Sequence, residues 1–230
     1  MPLRPRSEAQ EQGLSLPVRF CPLGQLQRAS KWYTVYTMSQ PTRTRIFAAA
    51  RELFDKDGAG GVSMRRIAEK VGITPMAIYR HYPDKDALLN ALMLDGFAVW
   101  EARVGALKTR EPLVWLQAMG EAFLDFALDE PRRYEAAFLL KASAARRYPG
   151  DFVAGRSPVV SKMMARVEEA RVQGLIGDIP TIDITISFTA LVQGLVDMYR
   201  AGRFSDESDF RAAYRKALGH CIRSFMEKSP

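Results

Sequence analysis

Ser63 to Pro83 constrains this chain more than any other stretch, because two helical patterns meet there across almost no turn. Met64, Ile67, Ala68 and Val71 recur at three- and four-residue steps, which sets them on one face of a helix. Ser63 stands at the N-cap, where a hydroxyl can accept from an unpaired first-turn amide; Arg66 rather than Glu stands three residues on, so there is no capping box. Gly72 follows the last apolar residue, where a left-handed backbone ends a helix and turns the chain. Thr74 caps again, and Pro75 takes the first helical position, where its missing N–H costs nothing. This second helix is expected to run about eight residues, to Pro83, and needs packing to be stable. Ile78 and Tyr82, four apart, are placed to face inward, leaving Met76, Ala77, Tyr79 and Arg80 outward.

A preceding helix is expected from about Thr42 to Asp57, through Ile46, Phe47, Ala50, Leu53 and Phe54. With Ile67, Val71, Ile78 and Tyr82 these make a small three-helix core. Three short helices, the last two joined by a Gly-containing turn, are the layout of a helix-turn-helix, whose second helix enters the DNA major groove. The run Gly58 to Gly61 lacks the Lys-Ser/Thr of a phosphate-binding loop and is read as a turn.

The residues themselves resemble a known family. Ala50, Leu53, Phe54 and Gly58, then Ser63, Arg65, Ile67, Ala68 and Gly72, then Tyr79, His81, Tyr82, Lys85 and Leu88 stand at the spacing found in TetR (tetracycline-repressor-like) transcriptional regulators. The motif match runs from Thr42 to Leu89; beyond it the resemblance is architectural. It implies phosphate contacts from Ser63, Arg65, Tyr79, His81 and Lys85, all of them cations or hydrogen-bonding groups. It sets Thr74, Pro75, Met76, Ala77 and Arg80 nearest the base edges, with Arg80 suited to guanine O6 and N7, and Met76 and Ala77 to a thymine methyl. Tyr82 is read as packing; for His81 a hydrogen-bonding role at the helix C-terminus is an equal alternative.

Charge agrees with this placement. The formal net charge is +7, yet acids and bases balance from Asp86 onward, so the whole excess lies in the N-terminal part. A basic region beside a neutral body suits phosphate contact; such an excess alone also serves solubility.

Residues 1–40 show no helical or strand period and contain Pro2, Pro5, Pro17 and Pro22, so they are read as a disordered leader. Met38 precedes the usual opening of such a DNA-binding domain and is the expected native start. The rival reading is a minor-groove arm using Arg28 and Lys31. Cys21 and Cys221 make neither a disulfide framework nor a metal cluster, which points to the cytoplasm. No uncharged stretch nears the roughly twenty residues of a membrane span, and Glu8 and Glu11 argue against a secretory signal.

The remainder reads as helices without strand signals. Asp84 caps a helix from Lys85 to about Lys108 that links reader to body. Further helices are expected over Leu113–Leu128, Arg132–Arg146, Ser157–Gly174, Thr181–Tyr199 and Asp206–Lys228, with a loop over Arg147–Arg156. The fold class is therefore all-α, about nine helices in all: a leader (1–40), a helix-turn-helix domain (41–86) and a helical effector-binding and dimerisation domain (87–230). Trp100, Trp115, Met119, Phe123, Tyr134, Phe138 and Met163 are candidates to line an apolar effector pocket, with plain core as the alternative. Phe188, Leu191, Gly194, Leu195 and Met198 are candidates for a dimer face.

Catalysis finds no support: the two histidines lack nucleophile partners, and neither paired carboxylates nor metal spacing is present. The expected function is a cytoplasmic, homodimeric transcriptional repressor. It binds a near-palindromic operator in double-stranded DNA and is released by an apolar small-molecule effector, with no cofactor, metal or membrane. The alternative is a helical small-molecule-binding or enzymatic protein that retains the reader fold.

Overall fold

Apolar residues at helical spacing organise everything that the computed structural model describes, namely the backbone of residues 26–226 and the side chains of residues 42–226. Among these residues there is no strand. Helix α1 (Leu26–Gly61) ends on a kink at Gly58, whose φ of 65° favours glycine. Helices α2 (Met64–Val71) and α3 (Pro75–Tyr79) complete the reader, and α4 (Lys85–Gly105) leads out of it. The body comprises α5 (Pro112–Asp129), α6 (Pro131–Tyr134), a π-helical turn (Glu135–Leu139), α7 (Gly150–Val153), α8 (Pro158–Val172), α9 (Thr181–Arg200) and α10 (Glu207–Met226).

Local chemistry sets most boundaries where periodicity puts them. Gly72 closes α2 at φ 73°, and its N–H donates back to the Ala68 carbonyl. The Asp84 carboxylate caps α4 by accepting from Ala87 N at 2.7 Å. At α5 the Glu111 carboxylate accepts from both Leu113 N and Val114 N. The expectations for residues 1–40, a disordered leader, a start at Met38 and an arm of Arg28 and Lys31, lie outside the residues whose side chains are described. Helical backbone is described from Leu26, ahead of Thr42.

Five expectations need correction: the run Gly58 to Gly61 belongs to the kinked end of α1, and the loop expected over Arg147–Arg156 holds the short helix α7; the other three are larger. Ser63 sits at the N-cap of α2 in extended conformation, but its hydroxyl makes no capping hydrogen bond. Helix α3 closes at Tyr79 rather than near Pro83, because Arg80 N and His81 N both turn back onto Ile78 O. The helix expected over Arg132–Arg146 stops at Leu139. The π turn widens it, Leu140 becomes extended, and the amides of Ser143 and Ala144 find side-chain acceptors on α4 instead.

Two cores result. The reader core holds Ile46, Ala50, Phe54, Ile67, Val71, Ile78 and Tyr82 together with Leu88 and Leu92 of α4 and Ala136 of the π turn. The body core gathers Trp100 and Val104 of α4 with Trp115, Phe126, Tyr134, Phe188 and Tyr214. A single helix thus serves both. Helix α9 is the one described helix long and apolar enough, by composition, to cross a membrane. Here Phe188, Val192 and Val196 of α9 are buried in the body core, and Asp197 accepts from Tyr134 Oη at 2.8 Å.

Candidate functional site

The reader surface is built on a helix of only five residues, so its anchors matter. Thr74 Oγ1 accepts from Ala77 N at 3.3 Å, Pro75 opens the helix, and Ile78 and Tyr82 are buried beneath it. What remains outward is Met76, 71% exposed, Tyr79, 47% exposed, and Arg80. Ala77 is half-buried. Arg80 makes no ion pair or hydrogen bond through its side chain among the described residues.

Flanking groups come from the neighbouring helix starts. Arg65, its side chain 83% exposed, is paired with Glu69 at 3.0 Å one turn along α2. Lys85, the first residue of α4, donates to the Ala59 carbonyl at 3.0 Å and stays exposed, so its ammonium keeps further N–H groups free. Ser63 is half-buried at the start of α2. The hydrogen bond that His81 makes at the end of α3 runs through its backbone N–H to Ile78 O, at 2.8 Å, and not through its imidazole.

The sequence reading missed two arginines. Arg43 lies over the Tyr82 ring at 4.7 Å and donates to His81 O at 3.2 Å, fastening the end of α3 to α1. Arg45 donates to Val71 O and fastens the end of α2. Only the basic run before Ile46 hinted at them.

Within the body a cavity of about 230 Å³ lies between α4, α5, the π turn, α8 and α9. Four of the seven expected lining residues, Trp100, Met119, Phe123 and Phe138, do line it. Trp115, Tyr134 and Met163 do not; they are fully buried core, with Tyr134 spending its hydroxyl on Asp197 and Trp115 lying beside the cations of Lys162 and Arg166. Missed were Met93 and Phe97 of α4, Phe152 of α7, Gln193 of α9 and two charged residues, Glu101 and Arg146.

Phe188 belongs to this cavity wall as well. At 1% exposure it is interior, not the dimer-face residue expected. The other candidates lie differently: Gly194 and Met198 are exposed, while Leu191 and Leu195 are half-buried. Leu191 borders a surface groove with Ala213, Ala217 and Cys221 of α10, and burial pushes the Cys221 thiol up.

A short strap joins reader and cavity. Asn90 Nδ2 donates to Ser143 Oγ at 3.0 Å, Ala144 N donates to Asn90 Oδ1 at 3.0 Å, and Ser143 N and Oγ both donate to the Asp86 carboxylate. Asp86 and Asn90 sit on the first turns of α4, beside Lys85, while Ala145 and Arg146 line the cavity.

Residues 46–92 match the model of the bacterial regulatory proteins of the tetR family, and residues 116–221 match that of the tetracyclin repressor-like C-terminal domain. Between them these matches span more than half of the chain. The chain belongs to the tetR family. The matched family models and the named relatives are those of transcriptional regulators, not enzymes. The HTH-type transcriptional regulator UidR of Escherichia coli K12 is 45% identical over 58 residues, a quarter of this chain. That match spans only 30% of UidR. The uncharacterized HTH-type transcriptional regulator YobS of Bacillus subtilis is 23% identical over 186 residues, 80% of this chain and 91% of YobS. A solved structure of a protein with unknown function from Rhodococcus sp. RHA1 has a TM-score of 0.65 at 25% identity, over 81% of this chain and 96% of that one. A TetR variant from Acinetobacter baumannii AYE in complex with minocycline shares the fold, at a TM-score of 0.55 and 21% identity over 78% of this chain and 93% of that one.

Proposed function

We propose that this tetR-family chain is a cytoplasmic, homodimeric transcriptional repressor that binds a near-palindromic DNA operator and is released by an apolar small molecule in the body cavity. The observation that carries the reading is the outward side of α3, where Met76, Tyr79 and Arg80 stand exposed on a helix whose other side is locked into the reader core. Two such helices in a dimer must reach successive major grooves roughly 34 Å apart, which favours a near-palindrome. Arg80 serves base edges with Met76, Ala77, Thr74 and Pro75; Arg65, Lys85, Ser63, Tyr79 and His81 serve phosphates.

Release follows from the strap. A ligand that spreads the cavity displaces Arg146 and its neighbours, and the hydrogen bonds of Ser143 and Ala144 carry that shift to the first turns of α4. To weaken operator binding a hundredfold, the ligand must prefer the non-DNA state by about 2.7 kcal/mol.

The test is fluorescence anisotropy with DNA from upstream of the protein's own gene, at two salt concentrations. Binding should fall steeply with salt, and Arg65→Ala or Lys85→Ala should each reduce the logarithmic salt slope by about one. Unchanged slopes in both variants refute the phosphate assignment. Ser143→Ala should bind ligand as before yet lose most of the ligand's effect on DNA affinity.

A further inference from the structure

The cavity wall is apolar except at a few points, and among the described residues its charged members are Arg146 and Glu101. Arg146 is largely withdrawn from water, its side chain 22% exposed, and its guanidinium lies over the Phe97 ring at 4.9 Å. Its nearest carboxylate, that of Glu101, is 3.9 Å away, beyond hydrogen-bonding distance, and among the described residues no acceptor takes any of its N–H groups. A guanidinium carries five donors in a planar fork that matches a carboxylate two bonds at a time. With no protein acceptor on these N–H groups among the described residues, the fork stands available to a ligand's acceptor beside an apolar wall.

We infer that the cavity takes a molecule with an apolar alkyl or aryl body and a single carboxylate held by Arg146; the inference rests on the reading of this cavity as the effector site. The aromatic wall of Phe97, Phe123 and Phe138 receives the body, and Arg146 receives the head. Glu101 opposes the incoming charge while holding Arg146 only loosely, so it weakens binding without forbidding it. A cation finds Glu101 on the same wall but is repelled by Arg146, 3.9 Å from that carboxylate, and it leaves the guanidinium's N–H groups unused. It also puts the recognised charge on the strap, three residues from Ser143.

The experiment is calorimetric titration of the full chain with straight-chain and aryl carboxylates of six to twelve carbons, 4-phenylbutyrate among them. Each is compared with its primary amide and its amine. Carboxylates are expected to bind at least tenfold more tightly than their amides, with amines weakest. Arg146→Gln should abolish the preference while amides bind as before, which also shows that the variant's cavity is intact. Glu101→Gln should tighten carboxylate binding severalfold and leave amides unchanged. Amides that match their acids in the unaltered protein overturn the acid assignment and leave the cavity as the ligand site. Binding by no member of any series overturns both.

Discussion

Tyr134 donates its phenolic hydroxyl to Asp197 at 2.8 Å, tying α6 to α9 across the body core. Its ring is fully buried and stacks on Phe138, a wall of the cavity, with centroids 5.3 Å apart. Burial first, and Asp197 second, push its ionisation far above the ordinary tyrosine range, so it stays a donor at any working pH.

Tyr134→Phe keeps the stacking and leaves Asp197 short of a donor. The expected loss is about 2 kcal/mol, the scale of a hydrogen bond to a charged group. Urea unfolding at fixed protein concentration measures it. Tyr134→Phe and Asp197→Asn made together should cost less than their separate losses added; simple additivity contradicts the coupling.

Thr74 is expected to matter beyond its size because α3 has so few bonds of its own. Thr74→Ala should cost about 1 kcal/mol by removing the cap, and Thr74→Ser should restore it. Melting curves of the three proteins decide, and a Ser variant no better than Ala counts against the capping argument.

Two glycines that look alike in sequence should answer differently. A Cβ at Gly96 would meet Arg133 O at 2.6 Å and Ala137 Cβ at 3.1 Å, so Gly96→Ala must push α4 from the π turn, costing about 1–3 kcal/mol. Gly194 has nothing within 4 Å of a Cβ, and Gly194→Ala should stabilise an isolated protomer by about 0.5–1 kcal/mol through helix propensity. Sedimentation of Gly194→Trp tests the proposed dimer face: loss of dimer supports it, and an unaltered dimer removes Gly194 from it.

Acid should reveal the strap. Hydrogen bonds from Ser143 hold the Asp86 carboxyl below its usual range, against partial desolvation. A depressed carboxylate contributes stability above its unfolded value, and that contribution fades as pH falls through the folded one. The stability gap between the unaltered protein and Ser143→Ala should therefore be open at pH 7 and close once the pH has fallen below the ordinary aspartate range. Urea midpoints across that range check the sign; a gap that widens in acid contradicts it.

The reader was legible because its signals are local. Thr74, Pro75, Gly72 and Asp84 each act within one helical turn, and the structure has α2, α3 and α4 starting or ending beside them. The Ser63 hydroxyl departs from expectation because its residue type admits a cap without compelling one. The body was legible as helices but not as a site. Trp115 and Phe123 share one apolar stripe on α5, yet only Phe123 reaches the cavity, since that depends on which helix covers each. Arg146 was invisible as a site residue because the periodicity carried the helix through it. The end of that helix depends on Asp86 and Asn90, more than fifty residues away in the chain.

The π turn sets Ala136 in the reader core and Phe138, two residues on, in the cavity wall. Mutations that retune the chamber near Phe138 therefore disturb the packing beneath the reading head. Under the function proposed above, a lineage adapting to new inducers should show sensitivity and basal grip on DNA drifting together, with repair of one surfacing as second-site changes in the other.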